Sequence, residues 1–155
     1  MTRSGWQAED QIAVEYLEAC KEAVADDDAF ANFKSNPKYK TILEHVLKDQ
    51  GQCYLNICRE MSEEGVEQNI ELFKENDKYG NPETFPYPGL NGAISPTTLR
   101  YMKNTFEMSF MLNGAEVSKI VEVGGGYGGL CRVLSMVCEF DEYILVDLPE
   151  VSALQ

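Results

Sequence analysis

The stretch KIVEVGGGYGGL, residues 119–130, limits the possible folds more than any other part of the chain. A short β-rich run passes into five glycines within six positions, and then into a segment with Leu130, Val133, Leu134 and Val137 at helical spacing. A second β-rich run, YILVD, follows at 143–147. Strand, helix and strand in that order predict a β-α-β unit with parallel strands, because a parallel pair needs a crossover and a helix commonly supplies it. Runs this apolar predict strands buried within a sheet. Ligands of such sheets sit beyond the carboxyl ends of the strands. A glycine turn there lets backbone approach closely, and the next helix offers unpaired N–H groups.

Two ligand classes suit the turn on spacing alone. Gly124, Gly126 and Gly129 spell GxGxxG with Asp147 about twenty residues on, as a nicotinamide or flavin dinucleotide site requires. Glu122, Gly124, Gly126 and Gly128 spell ExGxGxG, a pattern suited to S-adenosylmethionine. Glu122 favours the second. A carboxylate at that point would face an approaching pyrophosphate, whereas S-adenosylmethionine carries an ammonium and a sulfonium that an acid attracts. Asp147, at the tip of the second strand, can accept hydrogen bonds from both ribose hydroxyls in either class, so it does not discriminate.

Upstream, the first 75 residues read as helices. Ile12, Tyr16, Cys20 and Val24, flanked by Ala13 and Leu17, mark one face of the first, which the run Asp26, Asp27, Asp28 interrupts. Asn36 as N-cap and Pro37 at the first helical position restart a helix whose buried face is expected to hold Tyr39, Ile42, Leu43, Val46 and Leu47. A short helix around Tyr54, Leu55 and Cys58 should follow, then another from Ser62 with Val66, Ile70 and Phe73. Residues 76–94 are dense in Gly, Pro and Asn and predict a long loop, either a lid or a connector. Ser95 and Pro96 then open a helix with Leu99, Met102, Phe106 and Phe110 on its apolar face, ending at Asn113 and Gly114. The organisation expected is a helical region over 1–94, with its loop at 76–94, and an α/β region over 95–155.

Charge narrows the partners. Lys and Arg total 13 against 26 Asp and Glu, a formal net charge of -13, which argues against a nucleic-acid surface. Neither a membrane span nor a leader is apparent, so a cytoplasmic protein is expected. The five cysteines, Cys20, Cys53, Cys58, Cys131 and Cys138, include no CxxC pair, and His45 is the only histidine. A zinc or disulfide framework is therefore not expected, and buried reduced thiols are. His45 flanks the apolar stripe of its helix and is expected at or near the surface.

The strings IVEVGGGYGGL, YILVDLPEVSALQ and ISPTTLRYMKN, together with NDKYGNPETFPY, resemble the sugar O-methyltransferase family, a branch of the class I S-adenosylmethionine-dependent methyltransferases. The similarity runs from about Phe33 onward. The glycine motif belongs to the whole class, and SPTTLRY and DLPEVSALQ are the more specific part. The resemblance implies a Rossmann-like fold with S-adenosylmethionine as cofactor and a small-molecule or saccharide hydroxyl as methyl acceptor. It further implies that Glu122 holds the methionine end of the cofactor and that Gly124, Gly126 and Gly128 make room for it. Asp147 then binds the ribose, and Leu148 lines the adenine pocket. Gly125 and Tyr127 complete the bed. No metal ligand set and no general base can be picked out. A complete class I sheet has seven strands, so the chain is expected to be the front part of a longer protein and inactive by itself. The competing expectations are an NAD(P)-dependent oxidoreductase and a non-enzymatic helical interaction protein with a degenerate cofactor fold.

Overall fold

The computed structural model describes residues 3–112 and 114–155, with side chains from residue 11 onward. Helices α1 (Arg3–Ala25) and α2 (Asp27–Ala31), a 3-10 turn at Phe33–Ser35, and α3 (Pro37–Lys40) form the first part. Helix α4 (Lys48–Phe73) follows, then a second 3-10 turn at Lys74–Lys78 and a two-residue hairpin of β1 (Phe85–Pro86) and β2 (Ala93–Ile94). Helix α5 (Pro96–Leu112) leads into β3 (Lys119–Val123), α6 (Gly129–Ser135), β4 (Glu142–Val146) and α7 (Pro149–Ser152). The architecture is mixed α/β, mostly helical, with β3 and β4 as a small parallel sheet.

Side-chain caps set several of the boundaries. Asp26 takes the Ala29 N–H at 2.8 Å and Asn36 takes that of Lys38 at 3.0 Å. Ser95 Oγ takes the Thr98 N–H at 3.0 Å. Within α4, Ser62 leaves helical geometry at φ -164 and ψ 98, and its Oγ accepts from the Gly65 N–H at 2.9 Å. The expected break at Ser62 is thus a capped kink between two helical halves. Expectation and structure part after Asn36, where the helix lasts a single turn. Thr41 turns its hydroxyl back onto the Pro37 carbonyl at 2.9 Å, a bond that competes with helix continuation. Beyond it the chain opens, Val46 and Glu44 turn inward, and Leu47 stands 67% exposed.

Two apolar clusters hold the fold. One gathers Leu55, Cys58, Val66, Ile70 and Phe73 of α4 with Leu99 and Met102 of α5 and Val133 of α6. The other joins Tyr16, Ala19, Cys20 and Ala23 of α1 to Phe33, Tyr39, Val151 and Leu154. Each cluster draws on residues from both sides of position 95, and Tyr127 packs against both. The buried stripe of α1 is rotated from the one expected, and Ile12 and Val24 face solvent. Alanines on the inner side let Tyr39 and α7 come close, which the bulkier edge would not allow. Phe110 is likewise exposed, near the end of α5, while Asn113 lies outside the described residues.

Strands β3 and β4 pair in register from Lys119 with Glu142 to Val123 with Val146. Their expected burial is not found: Val123 is 80% exposed, and Val121 and Val146 also face solvent. Among the described residues the sheet has two strands with open edges, and Ile120, Glu122, Tyr143 and Leu145 are half-buried. The cysteines divide similarly. Cys20 and Cys58 are buried, Cys131 and Cys138 half-buried, and Cys53 exposed, all of them free thiols.

Candidate ligand site at the glycine turn

The turn at 124–129 leaves the carboxyl end of β3, and the Gly124 N–H extends the ladder by donating to the Val146 carbonyl at 2.9 Å. Gly124, Gly126 and Gly128 have φ of 76, 57 and 81, values a side chain would strain. Their surroundings differ. A Cβ on Gly124 would meet open space, one on Gly128 would approach Leu145, and one on Gly126 would strike the Leu43 side chain. The Gly126 carbonyl also accepts from Gln155 Nε2 at 2.7 Å. Gly125 is closed in by Leu145 and Glu122. The bed is therefore open at Gly124 and covered at Gly126 by two rotatable side chains of the same chain.

Two carboxylates flank the turn. Asp147, directly after β4, spans its two oxygens between the Gly126 N–H at 2.9 Å and the Leu148 N–H at 2.8 Å. It thereby ties the glycine turn to the tip of the neighbouring strand. Leu148 is 54% exposed beside it. Glu122 is half-buried in β3 and accepts from the Tyr143 hydroxyl at 2.8 Å. Burial pushes its carboxyl above the usual carboxylate range; the Tyr143 hydrogen bond opposes that shift and the negative Asp147 adds to it. The structure thus brings Glu122, the glycines, Asp147 and Leu148 to one end of the sheet.

Tyr127 turns the other way. Its hydroxyl end is enclosed, accepting from Asn76 Nδ2 at 2.9 Å, and its ring packs edge-on against Phe33 and Tyr101. The Lys34 ammonium lies 4.3 Å from the ring centroid and donates to the Asn76 carbonyl at 2.8 Å. Asn76 Nδ2 also reaches Thr98 Oγ1 at 2.8 Å, and that hydroxyl donates to Asp77 at 2.6 Å. A buried polar network therefore runs behind the glycine turn. Sequence reading missed its members Lys34, Asn76 and Asp77, and it missed the buried Glu44 as well. Nothing in the sequence marked them: Thr97 and Thr98 of SPTTLR look like ordinary polar residues at a helix start, and only the fold buries that start.

His45 is exposed. Among the described residues no group of three or more His, Cys, Asp or Glu is placed to hold a metal ion, and no helix is long and apolar enough to cross a membrane. Comparison with family models, curated proteins and solved structures gives no match for this chain.

Proposed function

We propose that the chain carries the S-adenosylmethionine-binding part of a methyltransferase acting on a hydroxyl of a small molecule or saccharide. The observation that carries this reading is the pair of carboxylates that flank one turn: Asp147 accepts from the Gly126 N–H, and the Glu122 carboxylate lies against Gly125. Two acids there disfavour a pyrophosphate and favour a cation. The open space at Gly124 fits the same group, and Leu43 and Gln155 can swing from Gly126 because each reaches it with the end of a flexible side chain.

When bound, S-adenosylmethionine supplies a methyl group activated by a positive sulfur. Glu122 would attract the ammonium of its methionine end, Asp147 would accept from the ribose hydroxyls, and Leu148 would offer an apolar face to the adenine. To do so Asp147 must share oxygens that now serve the Gly126 and Leu148 N–H groups, which leaves its remaining lone pairs for the ligand.

The test is calorimetric titration of the chain with S-adenosylmethionine, with NAD and NADP in parallel. Binding of the methyl donor, lost in Asp147→Ala and in Gly126→Val, is the expected result. Micromolar affinity retained in both variants, or response to the dinucleotides alone, would overturn the reading. A second reading has an observation of its own: Gly125, Gly126, Gly128 and Gly129 all sit against side chains of this chain. A glycine turn used for packing, in a protein that binds neither ligand, follows if both titrations are flat.

A further inference from the structure

A cavity of about 460 Å³ lies between α6, the end of α2, the 3-10 turn at Lys74–Lys78 and the residues that follow α7. Its size is in the range of small-molecule pockets. Gly128 borders it, but Glu122, Gly124, Gly126, Asp147 and Leu148 do not, so it is a separate space from the ligand bed described above. Among the described residues one charged side chain lines it, that of Arg132. The chain carries 26 acids, and none of their side chains is in this wall.

Arg132 is half-buried, and its guanidinium carbon stands 4.7 Å from the centroid of the Tyr79 ring, which lines the same cavity. None of the ion pairs among the described residues includes it. Arg59, by contrast, pairs with Glu63. Of the Arg132 nitrogens Nε alone is enclosed without a hydrogen-bond partner, so the Nη groups keep open surface. The Tyr79 contact draws on the attraction of a cation to a ring and gives those N–H donors no acceptor oxygen.

The chemistry of the missing partner follows from the wall. A single positive charge is balanced by a monoanion, and the planar guanidinium fork matches a carboxylate, two N–H groups to two oxygens. A dianion such as a phosphate monoester would find one cation where it needs more. Lys34 does not supply a second, because its ammonium donates to the Asn76 carbonyl and the residue is not in the wall. The rest of the lining is largely aromatic. Phe30 is 41% exposed and Tyr79 47%, so both offer ring surface that a flat apolar body can cover.

We propose that this cavity binds a small aromatic monocarboxylate, with its carboxylate paired to Arg132 and its ring against Phe30 and Tyr79. The ligand class is argued from the wall alone and does not depend on what occupies the glycine turn.

The experiment measures backbone amide shifts of the 155-residue chain by NMR at pH 7 and fixed ionic strength, with no methyl donor present, so that it stands or falls apart from the cofactor titration. The probes are benzoate, phenyl phosphate, benzyl alcohol and benzylamine, each raised to about 10 mM, a range that detects millimolar affinity. Saturable shifts with benzoate, centred on Tyr79, Cys131 and Arg132, are expected, and the other three probes should bind more weakly. Arg132→Gln should lower benzoate affinity about ten-fold and leave benzyl alcohol unchanged, while Arg132→Lys, which keeps the charge and loses the fork, should recover only part of the loss. If Arg132→Gln fails to fold, the ranking of the four probes on the unsubstituted chain decides. Absence of saturable shifts with benzoate, shifts centred elsewhere, equal or tighter binding of the phosphate, the alcohol or the amine, or unchanged benzoate affinity in folded Arg132→Gln would each overturn the proposal.

Discussion

At the scale of single residues, Lys34 and Glu44 make opposite demands on pH. The unfolded lysine titrates near 10.5 and the folded one near 8, so between these values the unfolded state holds more protons and stability rises with pH. The wild type should gain about 3 kcal/mol relative to Lys34→Met across that window. Chemical denaturation of both proteins at pH 7.5, 9 and 10.5 checks this. Comparing the pair matters because Cys20 and Cys58, raised by burial to about 11 and about 12, lower stability over much of the same range. Their contribution cancels in the difference. Glu44 has the opposite sense, because a raised carboxyl means the folded state holds the proton longer. Its cost is absent below pH 4.5, where both states are protonated, and appears as pH rises. Glu44→Gln, which keeps the shape without the charge, should stabilise the chain at pH 7 by about 1 to 3 kcal/mol. No gain is expected at pH 4, and melting curves at the two pH values decide it. Neither residue could be found in the sequence. Lys34 in FANFKSNP and Glu44 in TILEHVL look like ordinary surface charges, and only tertiary packing encloses them.

At the scale of elements, the parts legible in the sequence were those decided by neighbouring residues. Asn36, Ser62 and Ser95 stop or start helices through bonds that span two or three positions, and the glycines at 124, 126 and 128 impose the turn through their own φ. Tyr16 and Cys20 of α1 were legible as core, but the rest of its buried face was not, since Ile12 and Val24 outrank Ala19 and Ala23 in hydropathy and yet face solvent. The α3 helix failed for a related reason, as Glu44 and Val46 are claimed by contacts far along the chain. Because the Ser62 cap is local, its removal is predictable: Ser62→Ala should cost about 1 kcal/mol, read as a lower denaturation midpoint with an unchanged slope. The β3–β4 ladder makes a further test. A parallel pair with open edges and an exposed face of Val121, Val123 and Val146 has few contacts to protect it. Its amides should exchange with solvent well before those of Leu55, Val66 and Leu99, and equal protection would contradict this account of the sheet.

At the scale of the whole molecule, the two apolar clusters meet at Tyr127. Its ring lies against Phe33 of the α1 cluster and Tyr101 of the α4–α5 cluster, and its hydroxyl is held by Asn76. Burial at the hydroxyl end raises its titration well above that of a free tyrosine, so it remains neutral and packed over the working range. The residue that continues the glycine turn is thus the joint between the two halves of the core. Removing it has consequences beyond lost area. Tyr127→Ala should destabilise the chain by about 3 kcal/mol, the usual cost of truncating a large aromatic ring. It should also loosen the coupling between the clusters. Urea unfolding followed at once by far-ultraviolet and near-ultraviolet circular dichroism should give coincident transitions in the wild type and separated ones in the variant. Tyr127→Phe distinguishes the two parts of this role, because it keeps the ring and loses only the Asn76 bond. It should unfold as a single transition and lose about 1 kcal/mol. If Tyr127→Ala also unfolds in one step, Tyr127 is not what couples the clusters, and the glycine turn is a passenger on a core that holds without it.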